Sequence, residues 1–190
     1  MNQGELRQIS CKDLLRFYFW WFTKEEKICI DFNNESKKSA ALYQYLKYMK
    51  IARNFKKNNP DNIFLAASRI FKDNKNEDKG KIINLLSEEF NRLNLLSGNN
   101  KNAIVAASKI LWLFDRETII MDNLNKNILK RFGKIKNYED YEKIWKNKYK
   151  ENEKSINSII KEYNMTKIDK VFNQKWFKMR VFDMFLWAYK

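Results

Sequence analysis

The sequence has no histidine, and its 190 residues include only two cysteines, four glycines and one proline. Without histidine the chain has no Ser-His-Asp triad, no Cys-His pair and no histidine-bound zinc. Two cysteines, Cys11 and Cys29, are too few for a disulfide scaffold, a four-cysteine zinc site or an iron–sulfur cluster. We therefore expect a reduced, cytoplasmic chain without metal or cofactor. Any catalysis would then use carboxylate, lysine, tyrosine or cysteine side chains.

Long hydrophobic runs are scarce as well. The most prominent apolar run covers residues 17–22 and is flanked by Arg16 and Lys24. It is far too short to span a bilayer, so we expect no membrane partner. The run itself is interpreted as mostly core, with one or two aromatic rings available to a partner.

The scarcity of glycine and proline argues against a β-sandwich or barrel, and apolar residues recur at helical spacing throughout. The sequence thus predicts an all-α fold, a single compact multi-helix domain over residues 1–190. Ser10 and Asp13 match a capping box, Pro60 suits a first helical turn, and Asp122 and Gly133 suit the two ends of one helix. Helices are predicted over residues 10–22, 36–58, 60–72, 81–96, 102–114, 122–132 and 173–189, with a turn of helix near 28–32. Residues 137–164 are predicted to form one long charged helix or a broken pair of helices.

Two short segments resemble each other, Ala-Ala-Ser-Arg-Ile at 66–70 and Ala-Ala-Ser-Lys-Ile at 106–110. Small residues allow helix backbones to approach closely, so the favoured interpretation is two tightly packed core helices. An internal duplication is the alternative.

Positive charge is concentrated in the middle of the chain, which has a formal net charge of +15. Residues 36–60 contain seven basic residues and no acidic one, and residues 122–136 contain five basic residues with Asp122 as the only acid. Such surfaces favour a polyanion, and we expect double-stranded DNA as the partner. The alternative is that these lysines only lie on solvent-exposed helix faces and bind no partner.

Residues 96–133 carry the most informative pattern. A segment with one glycine, Leu-Ser-Gly-Asn-Asn at 96–100, precedes an apolar helix that ends near Phe114. After a short connection, Asp122 begins an amphipathic helix that ends in Ile-Leu-Lys-Arg-Phe-Gly at 128–133.

This arrangement resembles the helix–hairpin–helix DNA glycosylase superfamily. The family's Leu-Pro-Gly-hydrophobic-Gly hairpin falls on residues 96–100, with Ser97 in place of the proline and Asn100 in place of the second glycine, so the element is degenerate. The family's catalytic aspartate follows a short apolar stretch and begins a helix with apolar and basic residues, as Asp122 does. Bifunctional members carry a Schiff-base lysine just after the hairpin, where Lys101 stands 21 residues before Asp122.

The resemblance implies a DNA glycosylase that flips a damaged or modified base, cleaves its glycosidic bond and leaves an abasic site. The implied catalytic residues are Asp122 and Lys101. If Asn102 occupies the lysine position instead, the enzyme is monofunctional. The implied DNA-binding residues are Gly98, Asn99, Asn100, Asn102, Lys126, Lys130 and Arg131.

Independently of the family, a fixed carboxylate beside the oxocarbenium-like sugar lowers the barrier to N-glycosidic cleavage. The alternative role for Asp122 is an ordinary helix N-cap. Two other functions stay open: a non-catalytic nucleic-acid-binding protein, and a helical structural or interaction protein. No local motif indicates which base is excised. The biological setting stays open too: it is either repair or action on modified foreign DNA such as that of a phage. A monomer is expected, although the sequence leaves the oligomeric state open.

The remaining motifs are interpreted mainly as structural. The C-terminal helix is expected to pack on the core, with an Arg180–Asp183 ion pair. Alternatively, Arg180 or Trp187 lines a base pocket. The aromatic residues of 138–149 are interpreted as a packed stripe, and Glu88 and Glu89 as pointing to different faces.

Overall fold

The computed structural model describes residues 6–56, 60–97 and 103–189. Across these residues the all-α prediction is confirmed, since they contain no β-strand and only one isolated β-bridge. The α-helices are α1 (Cys11–Trp20), α2 (Glu26–Asn33), α3 (Lys38–Tyr48), α4 (Pro60–Asp73), α5 (Lys79–Arg92), α6 (Ile104–Phe114), α7 (Asn123–Leu129), α8 (Tyr138–Glu162) and α9 (Lys175–Ala188).

The chain folds into two compact units. Unit 1 contains Met1–Phe22 and Met121–Lys190, and unit 2 contains Thr23–Ile120. Unit 1 therefore comprises α1 and α7–α9, and unit 2 comprises α2–α6. The prediction of one domain over 1–190 stays a prediction.

Unit 1 is built around α9, which packs against α1, α7 and α8. Phe17 of α1 packs against Phe177 of α9 with ring centroids 5.0 Å apart. The predicted aromatic stripe of α8 is buried, and its Trp145 ring stands edge-on to Phe182 at 5.1 Å. Aromatic packing thus fixes three helices of this unit against one another.

Unit 2 has its core among α3–α6. The predicted close packing of the two Ala-Ala-Ser segments is confirmed, because α4 packs against α6 and the alanines at 66, 67, 106 and 107 are buried. Tyr45 of α3 stacks on Trp112 of α6 with centroids 5.9 Å apart.

Local signals predicted most helix ends correctly. The Ser10–Asp13 capping box is present, Pro60 begins α4, and Asp122 is the N-cap of α7. Gly133 is the C-cap of the 3₁₀ turn Lys130–Phe132 that continues α7, as predicted. Its backbone is extended, and an added Cβ would lie 2.8 Å from Ile144 Cδ1.

Two predicted elements were wrong in extent. The helix predicted from 36 to 58 ends at Tyr48, because Lys50 adopts a left-handed φ of 56° and Phe55 forms an antiparallel bridge with Leu96. The predicted turn near 28–32 is instead α2, joined to α1 by a π-helical segment, Trp21–Glu25. The bridge between Phe55 and Leu96 joins residues distant in sequence, so no local pattern predicts it.

Candidate active site and nucleic-acid interface

Asp122 stands at the start of α7, directly after a buried apolar segment. Ile119, Ile120 and Met121 are at most 4% exposed and therefore fix the entry of the chain into α7. The Asp122 carboxylate accepts a hydrogen bond from the Leu124 amide at 2.9 Å and is partly exposed. The side chain is thus held in one place while part of it stays accessible.

A buried polar cluster lies beside this helix, and it comprises Asn125, Tyr141, Trp145, Arg180 and Asp183. All five side chains are less than 9% exposed. The Trp145 indole donates to Asp183 Oδ1 at 2.8 Å, and the predicted Arg180–Asp183 ion pair is present at 3.7 Å. We refer to these five residues as the unit 1 polar cluster.

Tyr141 connects this cluster with Asp122. Burial raises the pKa of the Tyr141 phenol, and the carboxylates of Asp183 and Asp122 raise it further, with Tyr138 contributing in the same direction. A hydrogen bond with the Asn125 side chain acts in the opposite direction. The phenol therefore stays protonated near neutral pH.

The predicted DNA-binding residues in α7 and in the 3₁₀ turn after it are accessible. Lys130 and Arg131 are exposed and Lys126 is partly exposed. Within the described residues none of the three forms an ion pair, so their charges are available to an external anion.

The predicted hairpin residues Gly98, Asn99, Asn100, Lys101 and Asn102 lie outside the described residues. The structure does describe the residues on either side of this segment. Ser97 donates through Oγ to Arg53 O at 2.6 Å and through its amide to Asn54 O at 2.9 Å. On the other side, the Ala103 amide donates to the buried Ser87 Oγ at 2.9 Å. Helices α5 and α6, which flank the segment, pack against each other.

The β-bridge joins the basic segment 36–60 to the residues just before the predicted hairpin. Phe55 pairs with Leu96, and the Lys56 amide donates to Leu95 O at 2.9 Å. Lys50, Arg53 and Lys56 are all exposed. Three exposed positive residues therefore lie close to Phe55 of the bridge along the chain.

Sequence reasoning found the Arg180–Asp183 pair of unit 1 but missed the other buried polar residues of both units. In unit 2, Glu25 is fully buried and accepts from the Tyr48 hydroxyl at 2.8 Å, while Lys109 is 5% exposed and donates to Met49 O at 3.4 Å. The prediction that Lys109 lies inside a helix is confirmed. For these buried residues the sequence offers no local signal beyond the i, i+3 spacing of Asp122 and Asn125.

The aromatic run at 17–22 divides between core and surface. Phe17 and Trp21 are buried as predicted, but Phe19 and Phe22 are 62% and 60% exposed. Trp187, which the sequence analysis names as an alternative lining residue of a base pocket, is 42% exposed. These three rings are therefore accessible to a partner.

Among the described residues, no cluster of three or more Cys, Asp or Glu side chains is arranged to bind a metal ion. None of the described helices combines the length and the apolar composition needed to cross a bilayer. Comparisons with protein-family models, with curated proteins and with solved structures found no match.

Proposed function

We propose that this protein is a DNA glycosylase of the helix–hairpin–helix type, with Asp122 as its catalytic carboxylate. The observation that carries the proposal is Asp122 itself. It is anchored by the Leu124 amide and by the buried residues before it, yet it is partly exposed at the start of a helix that leads into two exposed basic residues.

The chemistry requires a fixed anion beside the sugar. Cleavage of an N-glycosidic bond develops positive charge on the sugar, and a preorganised carboxylate stabilises that charge without reorganising. Asp122 can also activate a water molecule. Neither histidine nor a metal ion is needed, which suits a chain without histidine.

The DNA duplex would be bound mainly through its phosphates. In unit 1, Lys130 and Arg131 are exposed, and in unit 2 so are Lys50, Arg53 and Lys56 beside the bridge. Interactions of this kind with phosphates supply most of the affinity and position the enzyme, and they do not read the sequence.

The hydrogen bond from Leu124 favours a second candidate function. A carboxylate that caps its own helix performs a structural task, worth about 1 kcal/mol, and needs no reaction to explain it. The protein would then bind nucleic acid through the same basic residues without cleaving it.

The test is base release with an Asp122→Asn variant. The protein is incubated with several DNAs, including genomic DNA with natural base modifications, and abasic sites are counted after alkaline cleavage. Asparagine is an equally good N-cap, so the fold is expected to survive. We expect the variant to lose base release and to keep its DNA affinity. Asp78→Asn, the same change at the N-cap of α5, is the matched control and should change neither.

Each result separates the candidates. Abasic sites from the wild type alone support the glycosylase and its catalytic residue. Abasic sites that are still generated by Asp122→Asn support the glycosylase function and exclude Asp122 as its catalytic residue. Tight, salt-sensitive DNA binding without abasic sites favours the binding protein, and weak binding at physiological salt favours a structural protein. Borohydride trapping with Lys101→Ala then distinguishes a lyase from a monofunctional enzyme.

A further inference from the structure

The outer face of α1 combines positive charge with an exposed aromatic ring. Lys12, Arg16 and Phe19 follow one another at intervals of four and three residues, which places their side chains on one face of a helix. All three are exposed, and Phe19 is 62% exposed. The other face of α1, with Leu14 and Phe17, is buried. The helix is therefore anchored in the core of unit 1 while its outer face meets solvent.

A second exposed ring lies close to the same location. The Tyr18 ring centroid is 6.0 Å from that of Phe19 and 6.4 Å from that of Phe22, which is 60% exposed. Tyr18 itself is held in place, since its ring packs on the buried Phe172 at 4.8 Å and its hydroxyl donates to Asp169 Oδ2 at 3.3 Å. Both exposed rings therefore lie next to a ring that the core fixes.

The charge of this location is positive. Asp13 is the only acidic residue of α1, and Arg7 holds its carboxylate through two hydrogen bonds. Within the described residues, neither Lys12 nor Arg16 forms an ion pair. An anion is therefore the complementary partner. We refer to Lys12, Arg16, Tyr18, Phe19 and Phe22 as the α1 surface.

Cations and exposed rings in one surface match the two parts of a single-stranded nucleic acid. Its phosphates pair with lysine and arginine, and its bases, which no second strand covers, stack on aromatic rings. A duplex would use the charges but not the rings, because its bases are stacked inside. A lipid surface would accept aliphatic side chains equally well, whereas the exposed large apolar residues of 11–25, Phe19 and Phe22, are both aromatic. The α1 surface therefore favours a single strand.

We propose that the α1 surface is a separate nucleic-acid site that binds unpaired nucleotides of single-stranded DNA. Bases stack on Phe19 and Phe22, and phosphates pair with Lys12 and Arg16. The inference goes beyond the proposed glycosylase function and does not depend on it, because no residue of the α1 surface is among the catalytic assignments.

The test compares three variants by fluorescence anisotropy. The double variant Phe19→Leu/Phe22→Leu removes both rings and keeps apolar side chains, and Phe19→Trp/Phe22→Trp keeps rings at both positions. The matched control is Leu65→Ala, which removes an equally exposed apolar side chain from α4. The probes are a labelled oligothymidine of about 20 nucleotides, an oligouridine and a duplex of the same length. The urea midpoint of each variant checks its folding.

We expect the leucine double variant to bind oligothymidine about 10²-fold more weakly, since each stacked base contributes on the order of tenfold in affinity. Its affinity for the duplex should stay that of the wild type. The tryptophan double variant and Leu65→Ala should bind every probe as the wild type does. Asp122→Asn should also bind oligothymidine normally, which separates the α1 surface from the proposed catalytic residue.

The positive residues of the α1 surface are tested through the salt dependence of binding. Lys12→Ala/Arg16→Ala should lower the slope of log K against log salt for oligothymidine by about 1.4, because a single strand releases about 0.7 counterion for each neutralised phosphate. An unchanged slope would contradict the assignment of these two residues to phosphates.

Three results would overturn the inference: a leucine double variant with wild-type affinity for oligothymidine, an equal loss for single strand and duplex, or tighter binding of oligouridine than of oligothymidine. Vesicles of phosphatidylcholine and phosphatidylserine test the lipid surface. If the first result is joined by vesicle binding that Lys12→Ala/Arg16→Ala loses, the α1 surface is a membrane site instead. If the leucine double variant does not fold, Phe19→Leu decides, with an expected loss of about tenfold. Absence of base release by the wild type would reject the proposed function and leave this inference in place.

Discussion

At the scale of single residues, the start of the chain shows how local bonds fix a helix. Ser10 caps α1 and exchanges hydrogen bonds with Asp13, and Arg7 holds the same carboxylate through two nitrogens at 2.7 and 2.8 Å. The Arg7 guanidinium also stacks over the Phe185 ring at 4.6 Å. The first residues described are therefore attached to α9, the helix at the centre of unit 1.

This carboxylate predicts how stability depends on pH. Partial burial raises the pKa of Asp13, but hydrogen bonds from Arg7 and Ser10 lower it by more, so its pKa lies well below the usual range. In the unfolded chain the carboxyl group of an aspartate titrates at about pH 4. The stabilisation is therefore complete above that pH and is lost as the pH falls below it. We expect the difference in Tm between wild type and Asp13→Asn to be largest near neutral pH and to shrink in acid.

Thermal unfolding, monitored by circular dichroism at a series of pH values from neutral down to about pH 2, measures this effect. Arg7→Met is the companion variant, because removing the partner should abolish most of the same pH dependence. A difference between wild type and Asp13→Asn that is constant across the pH range would contradict the assignment.

At the scale of helices, small residues set the distances between α4 and α6. Ala67 and Ala107 are fully buried, and the two helices pack against each other. A close approach of this kind leaves no room for a longer side chain, since protein interiors are packed as densely as organic crystals.

Enlarging one of these alanines should therefore destabilise unit 2. We expect Ala107→Leu to lower the free energy of unfolding by about 1–3 kcal/mol, the usual cost of overpacking. The matched control is Ala40→Leu, the same change at an exposed position of α3, which should stay within about 0.5 kcal/mol. Urea unfolding measures both variants, and equal values for the two would contradict close packing at Ala107.

At the scale of the whole molecule, the net charge of +15 is unevenly placed. The long helix α8 balances much of its charge internally, as in the ion pairs Lys146–Glu142 and Lys148–Glu151. The basic residues after α7, by contrast, are exposed and free of ion pairs within the described residues. The position of the charge, and not only its sum, should therefore govern the proposed DNA binding.

The salt dependence of binding tests this expectation. Removing one side chain that binds a phosphate should reduce the slope of log K against log salt by about 1, because fewer counterions are released. We expect the double variant Lys130→Ala/Arg131→Ala to lower the slope by about 2 by the same reasoning. The control, Lys143→Ala/Lys150→Ala on α8, removes the same charge from exposed positions. Fluorescence anisotropy over a salt series measures both, and equal reductions would assign binding to net charge alone.

The sequence by itself determined the all-α class, most helices and their caps. Ser10, Pro60 and Asp122 act on groups close to themselves in the chain, so their effect is readable without the rest of the molecule. The same holds for the Arg180–Asp183 pair and for the concentration of positive charge. Asp122 was found as a candidate for this reason, and its catalytic role stays a prediction.

Only the tertiary structure decided which residues share a location. The end of α3 depends on the bridge between Phe55 and Leu96, the exposure of Phe19 depends on which side of α1 faces α9, and the burial of Asn125 depends on α8 and α9. Each of these features joins residues far apart in the chain, as the Asn125–Asp183 bond does across 58 positions. Sequence periodicity reports the face of a helix that is apolar, but the partner that covers that face is selected by packing.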